Sequence, residues 1–245
     1  MVGVVVPAYK EANNIAALIR AVRSVIPGAF IAVVDDSPDL STVAAAESEA
    51  GDRLIVVHRA EKGGRGSAAL QGMRLLLENG CTTIVEMDAD FSHAPSEIPL
   101  LLAALDRRGL EMVIGSRYLT ESRIENWPLS RRLFSRAANW LAHLVLRVPI
   151  HDYTNGFRGY SLRAAQVVVA TCGKIGKGFI PLSEILVNLW GRGFRIGEVP
   201  TVFVNRARGE SSVSSQEITN ALVGLGRIYL LKRRLAQPAA RGGVQ

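Results

Sequence analysis

Short apolar runs alternate with helical segments through the first half of the chain, and this alternation restricts the possible folds more than any other feature. Each run is about five residues long and is followed by a segment whose apolar residues recur at helical spacing. The predicted strands are residues 2–6, 30–34, 54–57, 83–87 and 112–115. Strands that alternate with helices in this way predict an α/β fold with a mostly parallel, doubly wound sheet and helices on both faces.

Polar side chains follow several of the predicted strands at the point where each strand ends. They are Tyr9, Glu11, Asp35, Asp36, Asp39, Asp88, Asp90 and Arg117. Ligands of open α/β sheets bind outside the carboxyl ends of the strands. Helix capping alone would not require polar groups at so many strand ends. The sequence therefore predicts a functional site at this edge of the sheet.

The fourth predicted strand ends in two carboxylates, Asp88 and Asp90, with Ala89 between them. Because side chains alternate along a strand, we expect both carboxylates on the same side, where they repel unless a cation binds them. Oxygen ligands favour Mg²⁺ or Mn²⁺, whose other positions are filled by substrate phosphates and water. The alternative is that one Asp caps the next helix and the other is solvated.

The glycine-rich segment Lys62–Ser67 lacks the features of the known phosphate-binding loops. No Gly-Lys-Ser/Thr closes it, and the full dinucleotide fingerprint is absent. The segment predicts a flexible turn into a helix, with phosphate contact by Lys62 as the alternative. Further along, Glu184 lies among apolar neighbours, which favours either a buried carboxylate with a partner or one that faces a site.

Charge is distributed unevenly along the chain. Residues 1–106 carry 8 Lys and Arg against 14 Asp and Glu, a net charge of −6, whereas residues 107–245 carry 21 against 8, a net charge of +13. The basic half predicts an anionic partner, either nucleic acid or an anionic membrane surface. Aromatic residues are only 6% of the chain and are not interleaved with the basic loops, which argues against nucleic acid.

No apolar run approaches the roughly 18–20 residues that a membrane-spanning helix needs. The amino terminus reads as a strand rather than a signal peptide, so we expect a protein at the cytoplasmic face of the membrane, bound peripherally. Two cysteines, Cys81 and Cys172, are too few for a disulfide framework.

Two segments of the basic half have the pattern of amphipathic helices, residues 130–148 and 217–235. In the first, an apolar stripe that includes Leu133 and Trp140 lies opposite several arginines. This pattern fits a core-facing helix with a solvated basic face and also a helix in the membrane interface. The second segment ends in Lys232, Arg233 and Arg234, which favours attachment to anionic lipid, and residues 236–245 are expected to be a disordered tail.

Taken together, the motifs of residues 2–217 resemble family 2 glycosyltransferases of the GT-A fold, and most of all the polyprenyl-phosphate (dolichol-phosphate) mannose synthases. Each motif is modest alone, but the ordered set is specific. The matching residues are 7–11, 34–39, 87–93, 115–118, 127–131, 135–139, 152–158, 198–200, Phe203 and Arg206.

The resemblance implies a catalytic domain over residues 1–216, with a donor half to about residue 117 and an acceptor half from 118. It implies mannose transfer with inversion from a nucleotide-diphosphate sugar, GDP-mannose, to a polyprenyl phosphate, with Mg²⁺ or Mn²⁺ as cofactor. A separate membrane-anchoring subunit is a further possible partner. The alternatives are UDP-glucose transfer to bactoprenol phosphate, an inactive nucleotide-sugar-binding subunit and a basic nucleic-acid-associated protein.

The resemblance also implies roles for individual residues. Those expected to cradle the nucleoside are Pro7, Tyr9, Glu11, Val34 and Asp36. Asp88 and Asp90 are expected to hold the metal on the donor diphosphate, with Ala89 alongside. The residues expected to contact donor or acceptor phosphates are Arg117, Arg131 and Arg206, and Asp90, Arg117 and Arg131 are the expected catalytic residues.

Three positions depart from the pattern of this family. Lys10 stands where the family usually has Asn, Ser92 where some members have Gln, and Ser212 where Lys is common. Arg208 is a candidate to replace the missing lysine. The chemistry itself favours arginines around the acceptor, because a lipid monophosphate is already an anion and can attack without the carboxylate base that a hydroxyl acceptor needs.

Overall fold

A computed structural model describes residues 1–173, 175, 180–205 and 215–236, and within the last range the side chains of 223–235. The main sheet has seven strands, β1 (Val2–Ala8), β2 (Phe30–Asp35), β3 (Leu54–His58), β4 (Thr83–Glu86), β5 (Met112–Ser116), β7 (Arg158–Ser161) and β8 (Ile196–Pro200). A second sheet pairs β6 (Arg123–Glu125) with β9 (Val202–Val204).

The helices are α1 (Ile15–Val25), α2 (Ser41–Glu47), α3 (Arg65–Glu78), α4 (Ile98–Arg107), α5 (Leu129–Leu146), α6 (Leu162–Thr171), α7 (Ile180–Gly191) and α8 (Ser215–Ala236). The strand order is β3-β2-β1-β4-β7-β5-β8, and only β7 runs antiparallel to its neighbours in this sheet. The mostly parallel α/β sheet predicted from the alternation is confirmed.

Helices cover both faces of the sheet because its central strands are apolar on both sides. In β1, Val4 packs in a core with Ile15 of α1 and Leu101 of α4. Its neighbour Val5 points the other way, into a core with Met73 of α3 and residues of α6 and α7. A continuous apolar run is typical of a parallel strand buried on both faces, and for this reason these strands can be predicted from the sequence.

Several boundaries differ from the sequence prediction. Strand β4 ends at Glu86, so Asp88 and Asp90 lie in the turn beyond it, where Phe91 has a φ of 57°. The strand alternation that placed both carboxylates on one side therefore does not apply to them. Helix α3 begins at Arg65, inside the segment predicted as a flexible turn, after Gly64 with a φ of 86°.

Strand β7 lies within a segment that the sequence pattern indicates only as turn-rich and polar. Its first residue, Arg158, is fully buried and donates to the carbonyl oxygens of Tyr153, Asn155 and Leu182. Apolar periodicity cannot indicate a strand that begins with a buried arginine. Strand β6 lies in the polar connection between β5 and α5, and its three residues are largely exposed.

Helix α5 exposes the apolar stripe that the sequence indicates. Leu133 is 58% exposed and Trp140 66%, whereas Asn139, Ala142 and Leu146 face the interior. A core-facing orientation of this stripe is therefore wrong. Among the residues that the structure describes, no helix combines the length and the apolar character needed to cross a bilayer.

Helix α8 extends over the second predicted amphipathic segment and through Ala236. Ile228 on this helix is fully buried, and Val223, Tyr229 and Leu230 are exposed. The helix packs against α7 and α5, on the face of the sheet opposite α1. Residues 237–245, which were expected to form a tail, lie outside the described residues.

Candidate active site

Five strands bring polar groups to one edge of the main sheet. The parallel strands β1, β2, β4 and β5 all end there. Because β7 runs the other way, its first residue, Arg158, lies at the same edge, opposite Glu86 and Ile114. The turn before β7 therefore joins the predicted site. The antiparallel direction of β7 is the reason that the segment 151–157 meets the carboxyl ends of the other strands.

Arg65, the first residue of α3, forms two ion pairs at this edge. Its Nε donates to Oδ1 of Asp88 at 2.6 Å and its Nη1 to Oε1 of Glu86 at 2.7 Å. Glu86 is only 1% exposed, and its other oxygen accepts from the Tyr160 hydroxyl at 2.9 Å. Burial opposes the charge on Arg65, but the two carboxylates outweigh it and raise the pKa of the guanidinium. The positive charge of Arg65, a residue distant in sequence, thus compensates the negative charge of Asp88.

Gly156 allows Arg65 to reach this position. The guanidinium Nη2 donates to the Gly156 carbonyl oxygen at 3.3 Å. A Cβ atom at residue 156 would lie 1.8 Å from that same Nη2, far inside van der Waals contact. A side chain at this position would therefore displace Arg65 from Asp88.

Arg131 is close enough to both Arg117 and Asp90 for their charges to act on it. Burial lowers the pKa of Arg131, and repulsion from Arg117 lowers it further, while Asp90 raises it. Asp88 in turn contributes to the raised pKa of Arg117. Asp90 accepts a hydrogen bond from the Ser92 backbone N–H at 2.9 Å. The structure thus brings together four residues that the sequence predicted at one site.

Arg117 is held by Asp152 from the turn before β7. Nε donates to Oδ2 and Nη2 to Oδ1, both at 2.8 Å, and Nη2 also donates to the Thr154 hydroxyl at 2.7 Å. Burial would raise the pKa of Asp152, but the guanidinium outweighs it and holds the pKa below its usual range. This buried bidentate pair fixes the orientation of Arg117.

Aromatic rings enclose the two arginines. The guanidinium carbons of Arg117 and Arg131 lie 5.4 and 4.5 Å from the ring centroid of Trp127. Trp127 is buried, and its Nε1 has no hydrogen-bond partner among the described residues. Phe203 packs edge-on to Trp127, 5.1 Å between centroids. Arg131 also donates from Nη1 to Oδ1 of Asn205 at 2.9 Å. Two cations and an indole N–H thus share one apolar enclosure.

His93 forms a buried link behind the site. Its ring stacks on Phe157, 4.8 Å between centroids, and its Nε2 lies 2.9 Å from Oδ1 of Asn155. Because the Asn155 side-chain nitrogen donates to the Gly115 carbonyl, Oδ1 accepts and His93 carries its proton on Nε2. Nδ1 lies 3.1 Å from the Thr201 hydroxyl. Burial is the main cause that lowers the pKa of His93.

The residues expected to cradle the nucleoside lie at the ends of β1 and β2. Pro7 and Val34 are adjacent in the sheet register and buried. Tyr9 is exposed, with Nζ of Lys62 3.4 Å from its ring centroid. Glu11 is buried and accepts from Nδ2 of Asn14 at 2.8 Å. These side chains border the edge at which Asp88 and Asp90 lie.

Asp36 is bound by groups of the protein itself. Both of its carboxylate oxygens pair with the Arg59 guanidinium, and Oδ2 also accepts from the Gly64 backbone N–H at 2.8 Å. Gly64 precedes α3, so Asp36 fixes the loop that presents Arg65. Asp36 is thus a structural link between β2 and α3, and its contact with a nucleoside stays a prediction.

The model of the family described as "Glycosyl transferase family 2" matches residues 3–168, more than half of the chain. The chain belongs to glycosyl transferase family 2. The match covers β1 to β7 and therefore includes Asp88, Asp90, Arg117 and Arg131.

Curated relatives of this family 2 glycosyltransferase are 33–36% identical to it. Polyprenol monophosphomannose synthase of Mycolicibacterium smegmatis is 36% identical over 89% of this chain and 83% of its own length. Undecaprenyl-phosphate mannosyltransferase of Micrococcus luteus is 34% identical over 94% of both chains. Dolichol-phosphate mannosyltransferase of Pyrococcus furiosus is 33% identical over 93% of this chain and 63% of its own length.

Solved structures agree on the fold. Glucosyl-3-phosphoglycerate synthase of Mycobacterium tuberculosis, solved with Mn²⁺, UDP and phosphoglyceric acid, has a TM-score of 0.66 and 20% identity. The alignment covers all of this chain and 81% of that one. The GT-A type of fold that the sequence motifs imply for this family 2 glycosyltransferase is confirmed.

The side chains of the predicted metal site carry oxygen atoms, the ligands that a hard divalent cation prefers. Asp88, partly exposed, and Asp90 supply carboxylate oxygens at the open edge of the sheet. No group of three or more His, Cys, Asp or Glu side chains with a metal-binding arrangement occurs in the described part of the chain. This set fits a cation that takes one or two protein carboxylates and completes its shell with substrate phosphates and water.

Several predicted residues fall elsewhere. Arg206, Arg208 and Ser212 lie outside the described residues. Lys10 has a φ of 60°, and its backbone N–H donates to the Ser37 hydroxyl at 2.7 Å. Glu184 is buried and accepts from the Gly173 backbone N–H at 3.0 Å, as expected of a buried carboxylate with a partner, and a role for it in a site stays a prediction.

The sequence prediction gave no role to several residues that hold the predicted site residues in place, namely Arg59, Arg65, Glu86, His93, Asp152 and Asn155. One signal in the sequence points to Arg65, since it lies between glycines at the start of a helix that follows a strand. That position places a cation at the carboxyl edge of the sheet. The pairing of Asp152 with Arg117 depends on the reversed direction of β7, which the sequence pattern does not indicate.

Proposed function

We propose that this family 2 glycosyltransferase transfers mannose from GDP-mannose to a polyprenyl monophosphate and inverts the anomeric centre. The observation that carries the proposal is the convergence of Asp88 and Asp90 with Arg117 and Arg131 at one edge of the sheet. The names of three relatives at 33–36% identity, all mannose-transferring enzymes of polyprenol or dolichol phosphates, support the acceptor and the sugar.

Asp88 and Asp90 are the proposed ligands of Mg²⁺ or Mn²⁺, and Mn²⁺ is present in a solved structure of the same fold. When bound, such an ion neutralises charge that develops on the departing nucleoside diphosphate. Arg65 holds Asp88 by Oδ1 and so limits the orientations that this carboxylate can take. Tyr9, Glu11 and Val34 lie where the nucleoside is proposed to bind.

Arg131 is the proposed ligand of the acceptor phosphate. It lies in an apolar enclosure with Trp127, where a charge-assisted hydrogen bond is stronger than in water. Repulsion from Arg117 disfavours its charge, and a bound phosphate would relieve that repulsion. Because the phosphate is already an anion, no carboxylate base is needed for attack on the sugar.

The proposed polyprenyl phosphate acceptor also gives a reason for the exposed apolar side chains of α5. This helix begins at the catalytic edge, with Arg131 in its first turn, and carries exposed Leu133, Trp140 and Leu144 along its length. A polyprenyl chain that leaves the site along this helix would stay in the membrane interface. We therefore propose peripheral binding at the cytoplasmic face of an anionic membrane, with or without an anchoring subunit.

The test is a transfer assay with the purified full chain, Mg²⁺, a short polyprenyl phosphate and radiolabelled GDP-mannose or UDP-glucose. We expect label from GDP-mannose in the organic phase, and none when the acceptor is the unphosphorylated polyprenol or when EDTA removes the metal. Label from UDP-glucose alone would make the donor assignment wrong. Absence of transfer from either donor would contradict the proposed function.

A further inference from the structure

Helices α5 and α8 form a surface pocket at the end of α5 that is distant from the catalytic edge. Its volume is about 450 Å³, and its lining residues are Leu144, Val145, Arg147, Tyr229, Lys232 and Arg233. At the α-helical rise, Arg131 and Arg147 are separated by about 24 Å along the helix axis. The pocket is therefore separate from the site proposed for donor and acceptor phosphates.

Three cationic side chains line this one pocket. Burial lowers the pKa of Lys232, and the nearby charge of Arg147 lowers it further. Among the residues that the structure describes, no carboxylate forms an ion pair with Arg147, Lys232 or Arg233. Like charges held together in this way repel, and an anion between them would relieve the repulsion.

The other pocket residues and their surroundings are apolar or aromatic. Leu144 and Tyr229 line the pocket and are exposed. Trp140, one turn before Leu144 on α5, and Leu230, next to Tyr229 on α8, are exposed as well. A free phosphate ion would satisfy the cations but would leave these side chains in water. A ligand with a phosphate joined to an apolar body would contact both parts, as in other surfaces that combine basic and exposed apolar residues.

We propose that this pocket binds the phosphate headgroup of an anionic membrane phospholipid. Arg147, Lys232 and Arg233 contact the phosphate, while Leu144 and Tyr229 lie against the glycerol and the first part of the acyl chains. The lipid is neither donor nor acceptor, so the inference goes beyond the proposed transfer reaction. A lipid headgroup bound at one end of α5 would orient the protein on the membrane. The helix would then lie along the membrane surface, with the catalytic edge at its other end.

The test measures binding of the full chain to sedimented vesicles without donor or acceptor, so its outcome does not depend on the transfer reaction. Vesicles of phosphatidylcholine alone are compared with vesicles in which about one lipid in three is phosphatidylglycerol. The variant R147Q/K232Q/R233Q removes the pocket cations. The matched control R53Q/R74Q/R107Q removes three exposed arginines on other elements.

Each cation near an anionic surface contributes about fivefold to binding, so we expect the pocket variant to bind phosphatidylglycerol vesicles about a hundredfold more weakly. The control is expected to change less than about threefold, and the thermal melts of both should match that of the parent. Equal losses of vesicle binding for the two variants would overturn the proposal, because general attraction between opposite charges would then explain the binding without a pocket. Full displacement from the vesicles by millimolar inorganic phosphate at constant ionic strength would equally overturn a lipid ligand.

Discussion

Arg65 and Asp88 are 23 positions apart in the sequence, yet Nε of the arginine lies 2.6 Å from Oδ1 of the aspartate. The same guanidinium bridges to Glu86, a buried carboxylate at the end of β4. A carboxylate of the proposed metal site is thus tied to the buried end of the strand that carries it. The position of Asp88 is set by α3 as much as by its own turn.

Replacement of Arg65 by Gln should destabilise the protein strongly. Without the guanidinium, Glu86 keeps a buried charge whose remaining hydrogen bond within the described part of the chain comes from the Tyr160 hydroxyl. Removal of one partner of a buried ion pair costs about 3–5 kcal/mol. Urea unfolding of the parent and the R65Q variant measures this loss in the free energy of unfolding.

The matched control for R65Q is R20Q, which breaks the pair of Arg20 with Glu49. Arg20 is 61% exposed, and exposed pairs contribute about 0–1 kcal/mol. An R65Q variant that loses no more stability than R20Q would show that Glu86 does not depend on Arg65.

The sequence predicted the parallel part of this fold because its strands are buried on both faces and therefore appear as continuous apolar runs. It predicted Asp88, Asp90 and Arg117 because charged residues at strand ends stand out against those runs, whereas Arg131 was expected from the resemblance to the family. It could not predict β7, which begins with a buried arginine whose donors are satisfied by three carbonyl groups. Long-range pairs such as Arg117 with Asp152 depend on the direction of that strand, so the sequence could not predict them either.

The Asp152→Asn variant tests the second buried pair. Asp152 is fully buried and binds Arg117 with both oxygens. The neutral amide would remove the one carboxylate that the buried Arg117 guanidinium is shown to pair with in the described residues, so we expect a loss of about 3–5 kcal/mol in the free energy of unfolding. Thermal and urea unfolding measure the loss, and R163Q, which breaks an exposed pair with Glu111, is the control. A D152N variant as stable as R163Q would contradict the buried pairing.

His93 should make the stability depend on pH near neutrality. Its folded-state pKa lies below the ordinary histidine pKa of about 6.5, mainly because of burial, so the unfolded chain binds the proton more readily. The contribution is fully present above pH 6.5 and is lost as the pH falls toward the folded-state pKa. We expect the free energy of unfolding to fall between pH 7.5 and 5.5. His93→Gln, which cannot titrate, should show a smaller fall, and an identical slope would contradict the prediction.

The Asp90→Asn variant separates chemistry from folding. Asp90 is partly exposed and accepts a hydrogen bond from the Ser92 N–H, which the amide oxygen of Asn can also accept. Because Asn has nearly the same shape as Asp, we expect D90N to fold, and its thermal melt checks this. Because the negative charge is lost from the proposed metal site, kcat for mannose transfer should fall about 10²–10³-fold, the usual effect of one electrostatic contact with developing charge.

The transfer assay with D90N needs a control that removes a carboxylate elsewhere, and Asp106→Asn on α4 supplies it, at an exposed position. Raising Mg²⁺ should restore part of the activity of D90N if the residue binds the ion, since a weakened site fills at higher concentration. D106N should respond to Mg²⁺ as the parent does. Full turnover by D90N at the parent's Mg²⁺ dependence would place the metal elsewhere. The arginines at the carboxyl edge of the sheet would then be the residues that stabilise the leaving diphosphate.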